Sequence, residues 1–201
     1  IAKNMPYKKM AEKGWIVDVV KNPERVIHLR KYFEIAELSF LQSTLIPRIA
    51  CRKLSGAEKS DCALIAWAQK AKLEARKIET KPIDIEKLKR EISCILELTK
   101  LELDEFCIEI QKQLAACGVA IVFLPNITDE GLSGATFVDG NKIVIGLNVC
   151  NNNTNEFYFS FFHELAHVLY GHIEKEGGTT DEDEQSADEY AREILGDRKY
   201  V

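Results

Sequence analysis

Apolar positions recur at helical intervals through the first half of the chain and at strand intervals after Gly118. Val26, Leu29 and Phe33 follow Asn22-Pro23 at spacings of three and four, which predicts a helix with Asn as cap and Pro at its first position. Leu38, Phe40, Leu41, Leu45 and Ile46 follow less regularly and end near Pro47. Leu64, Trp67, Ala68, Ala71, Ala75 and Ile78 form the stripe of a longer helix, from about Ala57 to Ile78, with Trp67 as a core anchor. Thr80-Lys81-Pro82 breaks that pattern. Asp84 then caps a helix carrying Leu88, Ile92, Ile95 and Leu96, and another begins near Asp104 with Phe106, Ile110 and Leu114. Gly118 is a suitable residue just past its end. Residues 22–117 therefore read as a helical region, and the polar, basic residues 1–21 before it as a linker or tether.

From Gly118 onward Val119–Leu124 is an apolar run of strand length, bounded by Gly118 and Pro125. Residues Ser133–Val138 and Lys142–Leu147 are two further strand candidates, and Asp139-Gly140 between them signals a hairpin. Asn153 with Glu156 three residues later resembles a capping box opening a helix that runs to near Gly171. Gly177-Gly178-Thr179-Thr180 reads as a loop, and a last helix is expected from about Asp181 to Leu195, stopping at Gly196. The fold class expected is α+β: mostly helical, with a small three-stranded sheet. That sheet should pack near the 153–171 helix and a second, Glu-bearing helix, within a unit spanning 118–201.

The helix after Asn153 contains His163-Glu164-Leu165-Ala166-His167, an H-E-x-x-H sequence. At 3.6 residues per turn, positions i and i+4 share a face, so His163 and His167 can offer imidazole nitrogens to a single zinc ion. Glu164 lies about 100° further round, where it can flank the metal and act on its water. Phe157, Phe159, Phe161, Phe162, Leu165, Val168 and Leu169 make this helix apolar on nearly every side, as a core helix is. Buried His and Glu side chains need partners there.

Two histidines leave a catalytic zinc short of a ligand. A third His at the metzincin spacing would stand at 173 and its Gly at 170, where the chain has Ile173 and Tyr170; Gly171 comes one place late and His172 one place early. The remaining arrangement is two His and a Glu from a later helix. Glu184 and Asp188 stand four apart on the last helix with Ala187 between them. Glu184 is the expected third ligand, with Glu182 its competitor, and Asp188 is expected to hold a ligand His by its other nitrogen. His172 reads either as a substrate or oxyanion contact or as a helix-end His near the C-terminal dipole. Tyr158 and Tyr170 are possible oxyanion donors with packing as the alternative.

Composition sharpens this picture at three points. No apolar run approaches the ~18–20 residues of a membrane span, and no signal-peptide succession is present, so a cytoplasmic protein without membrane partners is expected. The six cysteines (Cys51, Cys62, Cys94, Cys107, Cys117 and Cys150) form no C-x-x-C and read as reduced core thiols. Residues 1–118 carry 22 Lys and Arg against 17 Asp and Glu, and residues 119–201 carry 5 against 15. The acidic second half is a poor nucleic-acid surface. Within the Lys70–Arg90 stretch, Glu74, Glu79, Asp84 and Glu86 interleave with the bases, as on a solvated helix face.

His163-Glu-Leu-Ala-His167-Val-Leu-Tyr-Gly-His172, followed by Glu184-Gln-Ser-Ala187-Asp188-Glu-Tyr190-Ala191, resembles the ImmA/IrrE family of bacterial metallopeptidases. Their pattern looks like H-E-x-x-H-x-x-x-G-H, then E-x-x-A-[ND]-x-F-A, with Tyr190 here in place of Phe. Gly134-Ala-Thr-Phe-Val and Lys142-Ile-Val-Ile-Gly-Leu also look like the family's segment before the metal helix. The resemblance covers roughly 118–195. Residues 1–117 are similar, more loosely, to the middle region of longer members such as HigA-type regulators, where a helix-turn-helix DNA-binding domain precedes the peptidase. Pro6-Tyr7-Lys8 and Gly14-Trp15-Ile16 are similar to the connector there, and a first residue of Ile is compatible with a start inside such a protein. Ile194-Leu195-Gly196-Asp197 departs from the family's usual L-L-M-P. The resemblance implies a cytosolic zinc endopeptidase that cleaves a partner transcriptional repressor. The competing expectation is a regulator whose peptidase-like domain senses or docks partners without cutting them.

Overall fold

Gly118 is where helix gives way to sheet, because its φ of +85° is left-handed and a Cβ there would lie 2.4 Å from Ile83 Cα. In the computed structural model, which describes residues 2–41, 58–127, 132–149, 153–175 and 178–196, five helices precede this point. They are α1 (Tyr7–Glu12), α2 (Asn22–Phe33), α3 (Glu58–Ala75), α4 (Ile85–Leu98) and α5 (Leu103–Ala115). After it come β1 (Val119–Leu124), β2 (Gly134–Asp139), β3 (Lys142–Asn148), α6 (Thr154–Leu169) and α7 (Asp181–Leu195). Two 3₁₀ turns, Leu38–Phe40 and His172–Glu174, complete the described elements. The class is α+β, as the hydrophobic pattern implies. Leu45–Pro47, Cys51, Cys150, Asn151, Asn152, Gly177 and Asp197 lie outside the described residues.

The sheet has the order β1-β3-β2. β3 pairs in parallel with β1 (Ile121 opposite Ile145) and antiparallel with β2 (Thr136 opposite Ile145). The hairpin turn is Gly140-Asn141, with Gly140 at φ +63°. Side chains alternate across the sheet, and both faces are covered, which explains strands that are apolar at nearly every position. Ala120, Val122, Ala135, Phe137 and Val144 face a core shared with α1, α2 and α3. Val119, Ile121, Ile143, Ile145 and Leu147 face another, shared with α4, α5, α6 and α7. The result is three layers, helices on either side of the strands.

Trp67 anchors the first layer. It is fully buried, its Nε1 donates to the Pro125 carbonyl at 3.1 Å, and its ring lies where a Cβ on Gly146 would come within 2.7 Å. Gly146 therefore lets α3 approach the central strand closely. Tyr32 Oη donates to Ala66 O at 2.8 Å and Gln69 Nε2 to Tyr32 O at 2.9 Å, fixing α2 along α3. The 1–21 stretch, expected as a tether, instead contains α1 and buries Met5, Tyr7 and Met10 in this core. Trp15, Ile16 and Val19 pack against the same core, so the stretch is docked by apolar side chains interleaved with Lys8, Lys9, Glu12 and Lys13. The α2 cap is Lys21 rather than Asn22, while Asp84 caps α4 by accepting from Lys87 N at 2.8 Å.

In the second layer Phe106 of α5 meets Phe157, Tyr158 and Phe161 of α6 edge-on, with ring centroids 6.0, 5.0 and 5.4 Å away. Such contacts hold α6 against the sheet through apolar burial and quadrupole geometry together. Asn153 Oδ1 accepts from Asn155 N and Glu156 N and opens the helix. Cys62, Cys94, Cys107 and Cys117 are free thiols. No helix among the described residues is long and apolar enough to cross a membrane. Replacing Trp67 with Ala is expected to cost about 3–5 kcal/mol, the range for deleting a buried aromatic side chain. Urea denaturation followed by far-UV circular dichroism measures it.

Candidate metal centre

Helix α6 has its buried face over the sheet and its His-bearing face against α7. Ala187 and Ala191 are the fully buried residues of α7 in this contact, and their small size lets the two helix backbones approach. The seam between them holds His163, His167 and Glu184, whose donor atoms all lie within 4.8 Å of one another. The Nε2 atoms of the two histidines are 3.1 Å apart; Glu184 Oε2 is 3.3 Å from that of His163, and Oε1 is 3.6 Å from that of His167. Ligands at ~2.0–2.1 Å from a tetrahedral ion stand about 3.3–3.4 Å from each other, so these separations fit one metal ion.

The chemistry of the donors agrees with that fit. Both oxygens of Glu184 are sealed from solvent and meet no protein donor in hydrogen-bond geometry. A buried carboxylate in that condition suits a cation. Burial would raise the Glu184 carboxyl, but His163, Thr179 and His167 around it hold it below its ordinary value. Burial would likewise lower His163, and Glu184, Glu164 and Asp188 outweigh it. For His167, burial wins and the ring is held neutral, the state a metal ligand needs. The three side chains together could hold a metal ion.

Each imidazole is gripped on its far side. His163 Nδ1 lies 2.9 Å from Asp188 Oδ1, and Arg192 donates to the other Asp188 oxygen at 3.0 Å. A proton on Nδ1 directed at Asp188 would leave Nε2 free toward the seam for a metal ion. His167 Nδ1 lies 3.0 Å from Nδ1 of His172. Glu164 is 2% exposed and belongs to neither grip. Its Oε2 accepts from the Thr136 hydroxyl at 2.5 Å, and a Cβ on Gly134 would come within 2.7 Å of it, so β2 forms the wall it rests on. Burial pushes the Glu164 carboxyl up to about 8.

The structure thus brings together His163, Glu164, His167, Glu184 and Asp188, all legible from spacing. Glu182, the competitor for the third ligand, is exposed on α7. His172 is 7% exposed, with His167 on one nitrogen and Asp183 Oδ1 at 3.4 Å from the other. Tyr158 is buried among the α5 and α6 rings, and Tyr170 is half exposed beside His172 and Tyr190.

Two residues of the site escape a reading by motif. Thr136 carries a signal in retrospect: with Gly134 two places earlier, it shares one face of a strand buried on both sides. Asp183 forms a capping box with Thr180 and is held as carboxylate, down to about 2, although burial opposes this, by Lys175 and by Thr180. The Thr180-x-x-Asp183 spacing was its signal.

Comparison with protein-family models, curated proteins and solved structures finds no match.

Removing the outer grip should weaken metal binding without removing a ligand. Asp188→Ala is expected to lower divalent-metal affinity by about 10–100-fold, and Glu184→Ala by more. Competition against a chromophoric chelator measures both. Metal at ~100 times its Kd should also stabilise the wild type by about 2.7 kcal/mol, a gain that Glu184→Ala forfeits at the same concentration.

Proposed function

We propose that this chain is a zinc-dependent endopeptidase and that His163, His167 and Glu184 hold the metal. The observation that carries the reading is Glu164, a buried carboxylate beside the three-ligand cluster that takes no part in it. A structural metal site would leave that side chain without a task at considerable desolvation cost. Two imidazoles and one carboxylate are the ligand set of a catalytic zinc with an open position, and zinc supplies Lewis-acid polarisation of a carbonyl and a water of lowered pKa.

Everything else falls to the protein's own groups. Glu164 accepts a proton from the attacking water at a carboxylate oxygen and passes it to the leaving amine nitrogen. Its raised pKa suits this exchange near neutral pH, and a neighbouring cation draws it back toward ionisation. The Thr136 hydroxyl holds one oxygen of Glu164 in place, so the carboxylate does not swing away as its charge changes. Asp188 and Arg192 keep His163 in its binding tautomer.

The substrate reading rests on the resemblance to ImmA/IrrE peptidases: a partner transcriptional repressor of helix-turn-helix type, in the cytoplasm. Incubating the protein with the regulator encoded beside it should release one discrete fragment. Glu164→Gln is expected to retain the metal and slow cleavage by about 10²–10⁴-fold, the usual worth of a general base. Undiminished cleavage by that variant would remove Glu164 from the mechanism. A wild type that binds zinc and its regulator but yields no fragment would instead favour a sensor or docking role.

A further inference from the structure

His163 is oriented by a carboxylate, as metal-binding imidazoles commonly are. His167 is not. Its Nδ1 faces another imidazole, His172 Nδ1, at 3.0 Å. Beyond that ring lies Asp183, with Oδ1 3.4 Å from His172 Nε2. Asp183 is in turn fixed by Lys175 Nζ at 2.6 and 2.8 Å and by the backbone N–H of Thr180 at 2.9 Å. His167, His172 and Asp183 are 0%, 7% and 6% exposed, so water does not replace these contacts.

Two facing Nδ1 atoms form a hydrogen bond only if one of them carries a proton and the other does not. With its Nε2 turned toward His163 and Glu184, His167 must carry its proton on Nδ1 to leave a lone pair for the metal. His172 then has to accept at Nδ1, which puts its own proton on Nε2, 3.4 Å from Asp183 Oδ1. Every proton along the line is placed by the one before it. The line also closes on the metal from the other side: Asp183 immediately precedes Glu184 and belongs to the capping box that opens α7.

We propose that His172 is a positioning residue, which sets the tautomer and ring plane of His167 and ties them through Asp183 to the helix turn that presents Glu184. The inference rests on the metal-binding reading of His163, His167 and Glu184. It gives His172 a role distinct from touching substrate, since its Nδ1 faces His167, its Nε2 lies 3.4 Å from a carboxylate oxygen, and the residue is buried. It also predicts what the position needs: an acceptor where Nδ1 stands, and not an imidazole as such. Asn offers its Oδ1 close to that place. Phe fills the ring volume and offers nothing.

The test uses the whole 201-residue chain. Zinc affinity is measured by chelator competition, and the visible spectrum of the cobalt-substituted protein reports ligand geometry. His172→Phe is expected to lose about 10–100-fold in zinc affinity and to shift the cobalt bands, while His172→Asn stays within about threefold of wild type. On the unmutated, zinc-loaded chain, nitrogen-15 spectra of the histidine rings should show the His167 proton on Nδ1 and the His172 proton on Nε2. This readout stands even if His172→Phe does not fold.

Equal binding by wild type and folded His172→Phe would overturn the role of His172 while leaving the metal site intact. So would an equal loss in both variants, or a His172 proton found on Nδ1. A wild type that binds no zinc would overturn the metal reading itself, and the positioning role with it.

Discussion

A carboxylate buried between two helices, with its oxygens 3.3 and 3.6 Å from two imidazoles and outside hydrogen-bond geometry, is the condition on which the rest of this structure turns. Removing such a charge from water costs several kcal/mol unless something positive answers it. The contact between α6 and α7 is shaped to hold Glu184 there all the same. Ala187 and Ala191 let the helices close together, Thr180 and Asp183 cap the helix that carries Glu184, and Lys175 clamps that cap to the preceding turn. A cation held in that seam would add to the partners of this carboxylate, which would couple metal binding to the stability of the α6–α7 contact.

The precision of that seam is inherited from the layers around it. Helix α6 brings its ligands to the right place because its other sides are committed: Phe157, Phe161 and Phe162 to the second core, and Glu164 to β2. Strand β2 in turn is held by β3, and β3 by Trp67 across Gly146 from the far side of the sheet. Helix α3 thus supports the site at two removes, while α5 packs on α6 directly through Phe106. Substitutions in α3 reach the candidate metal centre through the sheet, whereas β3 also packs directly against α6.

Which parts of this were legible beforehand follows from the range of the interactions. Helices with strong stripes, such as α4 through Leu88 and Ile95, and strands with continuous apolar runs announce themselves locally. The H-E-x-x-H spacing and the Glu184–Asp188 pair are also local, each lying within two turns of one helix. The strand order is not: β1 lies beside β3 and not beside β2, a choice made by packing between distant segments. Residues 5–10 gave too little periodicity to betray a docked helix, because three buried side chains are scattered among lysines. Thr136 and Asp183 escaped because a Thr in a strand and an Asp in an acidic run look ordinary until their partners are known.

The asymmetry between the two histidines has an electrostatic logic. Four carboxylates crowd this site: Glu164, Glu184, Asp188 and Asp183. Asp188 sits directly on His163, where the partly exposed Arg192 offsets its charge. His167 is fully buried, and a carboxylate placed directly on it would add an unscreened negative charge beside Glu164 and Glu184. Interposing the neutral ring of His172 supplies the same orienting hydrogen bond while setting the charge one ring further away, where Lys175 neutralises it. Glu164, already pushed toward protonation by burial, is spared a further push in that direction. The proposed exchange of a proton at Glu164 would depend on that restraint, because each negative charge brought closer would hold its proton more firmly.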